Sequence, residues 1–90
     1  MACIVRIELH GVSDYTALHK QMEARSFFRV VRSNDNVLRH LPTGTYISFD
    51  ASTLQDAFNH ADAARTAIGA HASIFVGDWT GGWIGTLTPV

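Results

Sequence analysis

The sequence predicts one small α+β domain, and three observations carry that expectation. Apolar and polar residues alternate from Cys3 to His10, which is the period of a half-buried strand. Two later segments space their apolar residues three and four apart, the period of amphipathic helices. Ninety residues, 47% hydrophobic and 17% charged, fill a single globular core and are too apolar for disorder.

The first strand, Cys3 to His10, sets Cys3, Val5, Ile7 and Leu9 on one face and Ile4, Arg6, Glu8 and His10 on the other. Gly11 ends it, and Ser13 or Asp14 caps a helix whose Tyr15, Leu18, His19 and Met22 share one face. Arg25 suits the negative pole at that helix's end. Phe27 to Arg32, aromatic and β-branched, is the second strand. Its register stays open: Phe28 and Val30 point inward, or a one-residue slip exchanges them with Arg29 and Val31.

Ser33-Asn34-Asp35-Asn36 is turn chemistry, and Val37 to Leu41 returns as an extended segment. Pro42 and Gly44 predict a bulge or kink before the next strand, Thr45 to Phe49. There the alternation turns Ile47 and Phe49 inward and Tyr46, Ser48 and Asp50 outward. Ser52 or Thr53 caps a second helix with Leu54, Ala57, Phe58, Ala61 and Ile68 inward, and Gly69 follows its end. Ala72 to Val76 is the fourth main strand, residues 77–82 form a turn, and Trp83 to Leu87 form a short fifth strand. This order is the split βαβ pattern of a ferredoxin-like βαββαβ sandwich with an extra C-terminal strand, one domain over 1–90.

Such a fold covers one sheet face with helices and leaves the other to water, a second subunit or a ligand. That open face is expected to carry Arg6, Arg29, Tyr46 and Phe75 beside Glu8 and Asp50. Arginines beside exposed aromatics suit single-stranded RNA, whose bases stack and whose phosphates pair. The plainer reading, favoured because no RNP1-like string is present, is a homodimer seam through that face or the C-terminal strand.

The net charge of -1 excludes a strongly basic nucleic-acid binder as a whole-chain description. The charge is uneven, however: residues 20–40 hold five cations against two carboxylates, while residues 41–90 hold one against four. A basic segment of this kind steers a phosphate backbone, although ordinary solvated arginines give the same pattern. His40, beside the expected kink, is the residue best placed to move a proton near neutral pH. Structural histidines are commoner than catalytic ones, and His40 carries that alternative too.

His10, His19, His60 and His71 do not fall at metal-ligand spacing, so no metal or other cofactor is expected. Asp56 and His60 are spaced as a surface pair on the second helix. The chain has no paired cysteines, no H-E-x-x-H, no phosphate loop and no nucleophile elbow. Trp79 and Trp83 either pair across a local hairpin or dock on a partner chain. The lone Cys3 and the absence of a basic-then-apolar leader or an 18-residue apolar run predict a cytoplasmic location away from the membrane.

The strings Ile4-Val5-Arg6-Ile7-Glu8-Leu9-His10-Gly11, Asp14-Tyr15 with Leu18-His19 and Met22-Glu23, Phe28-Arg29-Val30-Val31, and Arg39-His40-Leu41-Pro42-Thr43-Gly44-Thr45-Tyr46 together resemble the small bacterial and phage proteins grouped with the GhoS antitoxin. The resemblance runs over most of the chain. It implies a ferredoxin-like fold similar to the nuclease subunit of CRISPR adaptation. It also implies the activity of a type V antitoxin, an endoribonuclease acting on a toxin's mRNA, with Arg29 carried over as a catalytic candidate. The CRISPR nucleases use an acidic residue for metal at the end of the first strand, where this chain has His10.

The expected site therefore has Arg29 and His40 as catalytic residues without metal. Arg6, Arg32, Arg39 and Tyr46 are expected on RNA, and Trp79 and Trp83 on a partner. The alternative is a non-catalytic protein-binding module, such as a phage or mobile-element inhibitor of a bacterial defence system.

Overall fold

The alternation at the start of the chain builds the centre of the molecule. A computed structural model describes residues 2–81 and 87–90. Strand β1 (Cys3–Leu9) buries Cys3, Val5, Ile7 and Leu9 on one face, none more than 5% exposed, and leaves Arg6 and Glu8 in solvent on the other. It is flanked antiparallel by β4 (Thr45–Ser48) and, along all seven residues, by β5 (Ala72–Asp78), giving the order β4-β1-β5. A two-stranded antiparallel sheet, β2 (Val30–Arg32) with β3 (Leu38–His40), completes the architecture. Among the described residues the fold is α+β, with two helices and two antiparallel sheets.

Helix α1 (Thr16–Ala24) buries Leu18 and Met22 against the β1 face. The Asp14 carboxylate accepts from the Thr16 N–H, and Tyr15 takes the N-cap position with no side-chain cap of its own. The helix ends where Ser26 adopts a left-handed φ of 63°. Ser26 donates to the Glu23 carbonyl and Phe27 to that of Met22, which is the double bond of a Schellman ending. The buried Phe27 then supplies the apolar contact such an ending favours.

Helix α2 (Leu54–Ala67) starts at Thr53, whose hydroxyl accepts from the Asp56 N–H at 2.9 Å, and ends before Gly69 at φ 69°. The residues it buries are Ala57, Ala61 and Ala64. Leu54 and Phe58, expected inward, are 36% and 39% exposed, and Ile68 is half-buried. A stripe of small side chains lets α2 approach the sheet closely, and that rotates its larger residues towards solvent.

The register of β4 is the reverse of the expected one. Tyr46 and Ser48 share the helix-facing side with Val5 and Cys3, and Tyr46 is wholly buried while Phe49 is 59% exposed. Ile47 pairs with Ile4 on the opposite face, yet it too is buried. The second strand takes the slipped register, with Phe27 and Val31 buried and Phe28 44% exposed. It is also shorter than Phe27 to Arg32, because the chain changes partner within it. Phe28 exchanges two 2.8 Å bonds with Ile47 of β4, whereas Val30 to Arg32 pair with β3. Most of the expected strand from Trp83 to Leu87 lies outside the described residues, while residues 88–90 bond to β3 at His40 and Leu38.

Candidate functional site

The Schellman ending of α1 decides where the next side chains go. It brings Glu23, in the helix's last turn, opposite Arg29, and the two form an ion pair at 3.1 Å with both side chains nearly half exposed. Arg29 is fixed by its backbone as well, since its carbonyl accepts from the Leu41 N–H at 2.7 Å. That bond ties the start of the second strand to the end of β3, where His40 sits directly across from Val30. Glu23, Phe28, Arg29, Val30 and His40 line one hollow of about 300 Å³. Among the described residues, the buried Arg29 Nε atom has no hydrogen-bond partner.

A polar pair, Tyr46 buried and His19 half-buried, feels the charge of the same guanidinium. His19 Nδ1 and the Tyr46 hydroxyl share a hydrogen bond at 2.7 Å, with the Tyr15 ring tilted against the histidine. Burial, and then the positive charge of Arg29, hold the His19 pKa below its ordinary 6.5. Burial pushes the Tyr46 phenol well above its ordinary 10. Near neutral pH both groups are uncharged, so the cation of Arg29 has Glu23 as its ion-pair partner.

The structure thus gathers Arg29 and His40 and separates the other expected residues. Arg6 lies on the open face of β1, opposite Phe75, and its guanidinium donates to the Ile7 carbonyl at 2.8 Å. Arg32 donates twice to Asn36, and Arg39 donates to Ser33, Asp35 and the Leu87 carbonyl, so both brace the hairpin turn. Tyr46 was expected to expose its ring to a base, but the ring is buried in the core and has no free face. Trp79 is half-buried, its N–H donating to the Ala2 carbonyl, and Trp83 lies outside the described residues. Glu23 and Phe28 complete the hollow without having been singled out in the sequence. Glu23 was visible only as a helix-end acid six residues before an arginine.

Two other clusters lie elsewhere. His60 stands between Arg25, at 3.4 Å, and Asp56, at 3.6 Å. A hollow of about 350 Å³ is lined by His10, His71, Phe58, Asp62 and Arg65, but Asp62 already holds the Arg65 guanidinium at 2.7 Å. Among the described residues no three His, Cys, Asp or Glu side chains gather in a way that would hold a metal ion. No described helix is long and apolar enough to cross a membrane. No family model, no curated protein and no solved structure matches the chain.

Proposed function

We propose that this chain is a cytoplasmic, RNA-directed protein of the GhoS antitoxin type, a metal-independent endoribonuclease on a ferredoxin-like scaffold. The observation that carries this reading is the convergence on one hollow of Arg29, just before β2, and His40, at the end of β3. The scaffold reading is supported by the order β4-β1-β5 with Phe28 bridging the far side of β4, the strand order that a βαββαβ sandwich requires. The hollow also belongs to the basic segment of residues 20–40, where an anionic backbone is drawn.

In this reading Arg29 holds the scissile phosphate, exchanging part of its contact with Glu23 for the stronger one. His40 accepts the proton of the adjacent 2′-hydroxyl as the 2′-oxygen attacks phosphorus. The P–O5′ bond breaks, and the leaving oxygen takes a proton from water. The products are a 2′,3′-cyclic phosphate and a 5′-hydroxyl end. The guanidinium stabilises the extra negative charge on phosphorus in the transition state.

The test is cleavage of a labelled RNA pool, with and without chelator, by wild type, Arg29→Ala and His40→Ala purified identically. Cuts that persist with chelator, leave cyclic phosphate ends and fall by about 10²- to 10³-fold in each variant are expected. No cutting, or equal cutting by all three proteins, would remove the enzyme reading.

A further inference from the structure

Among the described residues, the edge of the three-stranded sheet away from β4 is formed by β5, whose other side is bonded along its whole length to β1. Exposed edges of this kind are templates for another strand, and folded chains ordinarily blunt them with lysine, proline, a bulge or an inward charge. β5 has no lysine, proline or bulge, and its one helix-side charge stands at the exposed end of the strand. Its pairing with β1 runs unbroken from Ala72 to Asp78, and Asp78, the last residue, is its only charge. Phe75 stands 68% exposed on the open face, its ring over the backbone of Gly77 and Arg6 opposite it on β1.

The side-chain pattern of β5 also reads nearly the same in both directions about Phe75. Ile74 and Val76 flank it on the helix-facing side, and Ser73 and Gly77 flank it on the open side. We propose that two copies of this chain join through β5, antiparallel about a two-fold axis at Phe75, into one six-stranded sheet. That register sets Ile74 against Val76 of the second copy, the two Phe75 rings against each other, and Ser73 against the small Gly77. Asp78 falls opposite Ala72 of the second copy, so no like charges meet. A one-residue slip would turn every side chain of the added strand to the wrong face. A pattern symmetric about Phe75 makes β5 complementary to itself, as a two-fold seam requires, and for this reason the occupant is a second copy. The seam lies at the opposite edge of the sheet from Phe28 and leaves both Arg29 hollows open.

Sedimentation of the full chain from about 5 to 200 µM tests this, because a seam of one strand pair is small and associates weakly. Wild type is expected to pass from monomer to dimer mass, and Phe75→Lys to stay monomeric with an unchanged circular dichroism spectrum. Register is read by mild oxidation: Phe75→Cys forms a disulfide dimer at least about tenfold faster than Phe58→Cys on the exposed face of α2. Wild type monomeric throughout, a dimer that survives Phe75→Lys, or equal crosslinking by the two cysteine variants would each overturn the proposal. Sedimentation and crosslinking are read without RNA, so the seam and the RNase reading fail or stand separately.

Discussion

In the sheet β4-β1-β5, β1 buries four side chains against two helices, while the β2–β3 hairpin buries only Val31 among its strand residues. Polar contacts take over in the hairpin. Arg39 reaches Ser33, Asp35 and the Leu87 carbonyl, Arg32 reaches Asn36, and residues 88–90 bond along β3. Core burial is cooperative, whereas exposed ion pairs contribute little each. The hairpin is therefore the region able to open locally while the sheet stays folded. The candidate site lies where the two meet, at the residues where the second strand leaves β4 for β3. Glu23 and Arg29 are anchored by the rigid body and His40 is delivered by the looser hairpin.

The comparison breaks most severely at Gly44, which joins the two regions. Its φ of 85° favours glycine, and a Cβ there would collide with the Ile7 carbonyl and the Arg6 guanidinium. Its own carbonyl accepts from the Ile7 N–H at 2.7 Å, so the turn cannot swing away without losing a sheet bond. Gly44→Ala should cost about 3 kcal/mol, from the left-handed backbone and the backbone clash together. Urea unfolding measures it, and a loss below about 1 kcal/mol would mean that the turn relaxes freely.

Next in size is the hydrogen-bonded pair of His19 and Tyr46. Tyr46→Phe leaves His19 Nδ1 without its partner and should cost about 1–2 kcal/mol. The same pair sets a pH dependence. Because the folded-state pKa of His19 is depressed, the unfolded chain binds more protons as pH falls through 6.5. The stability contributed is complete above 6.5 and is lost as pH drops from there towards the folded value. Melting at pH 7.5 and 5.5 should show wild type losing more on acidification than His19→Gln, and equal losses would place His19 outside the linkage.

Smaller still is the hairpin clamp. Arg39→Ala should lower global stability by about 1 kcal/mol or less, since its Asp35 partner is largely exposed. Amide exchange over residues 30–41 should nonetheless accelerate about tenfold while β1 and β5 keep their protection. Uniform acceleration would show that hairpin and sheet unfold as one unit.

What was legible in the sequence follows the same division. β1 could be read because its two faces differ so sharply in polarity, and its partners only confirm it. Thr45-Tyr46-Ile47-Ser48-Phe49 alternates equally well in either register, and the choice rests on His19, 27 residues away, taking the tyrosine hydroxyl into the core. In α2, size favoured Leu54 and Phe58 as core residues, but close helix–sheet contact selects the smaller Ala57, Ala61 and Ala64. Arg29 and His40 stood out as residue types. Their meeting in one hollow depends on the strand changing partners at Phe28 and Val30, which no local period encodes.

The two helix ends give the finest comparison and the smallest effect. Both close with the same pair of bonds: Gly69 to Thr66 with Ala70 to Arg65 in α2, and Ser26 to Glu23 with Phe27 to Met22 in α1. Both turning residues have left-handed φ, 69° and 63°, but only the first is glycine. The glycine marked the end of α2 in the sequence, and the serine hid the same geometry at α1, the turn that carries Arg29 back to Glu23. A side chain in this conformation costs about 1 kcal/mol, part of which a glycine returns through the greater freedom of its unfolded chain. Ser26→Gly should therefore raise stability by about 0.5 kcal/mol, measured by urea unfolding, with the Glu23–Arg29 pair undisturbed. A destabilisation instead would mean that Ser26, which with His60 lines a separate hollow of about 110 Å³, contributes more there than its backbone strain costs.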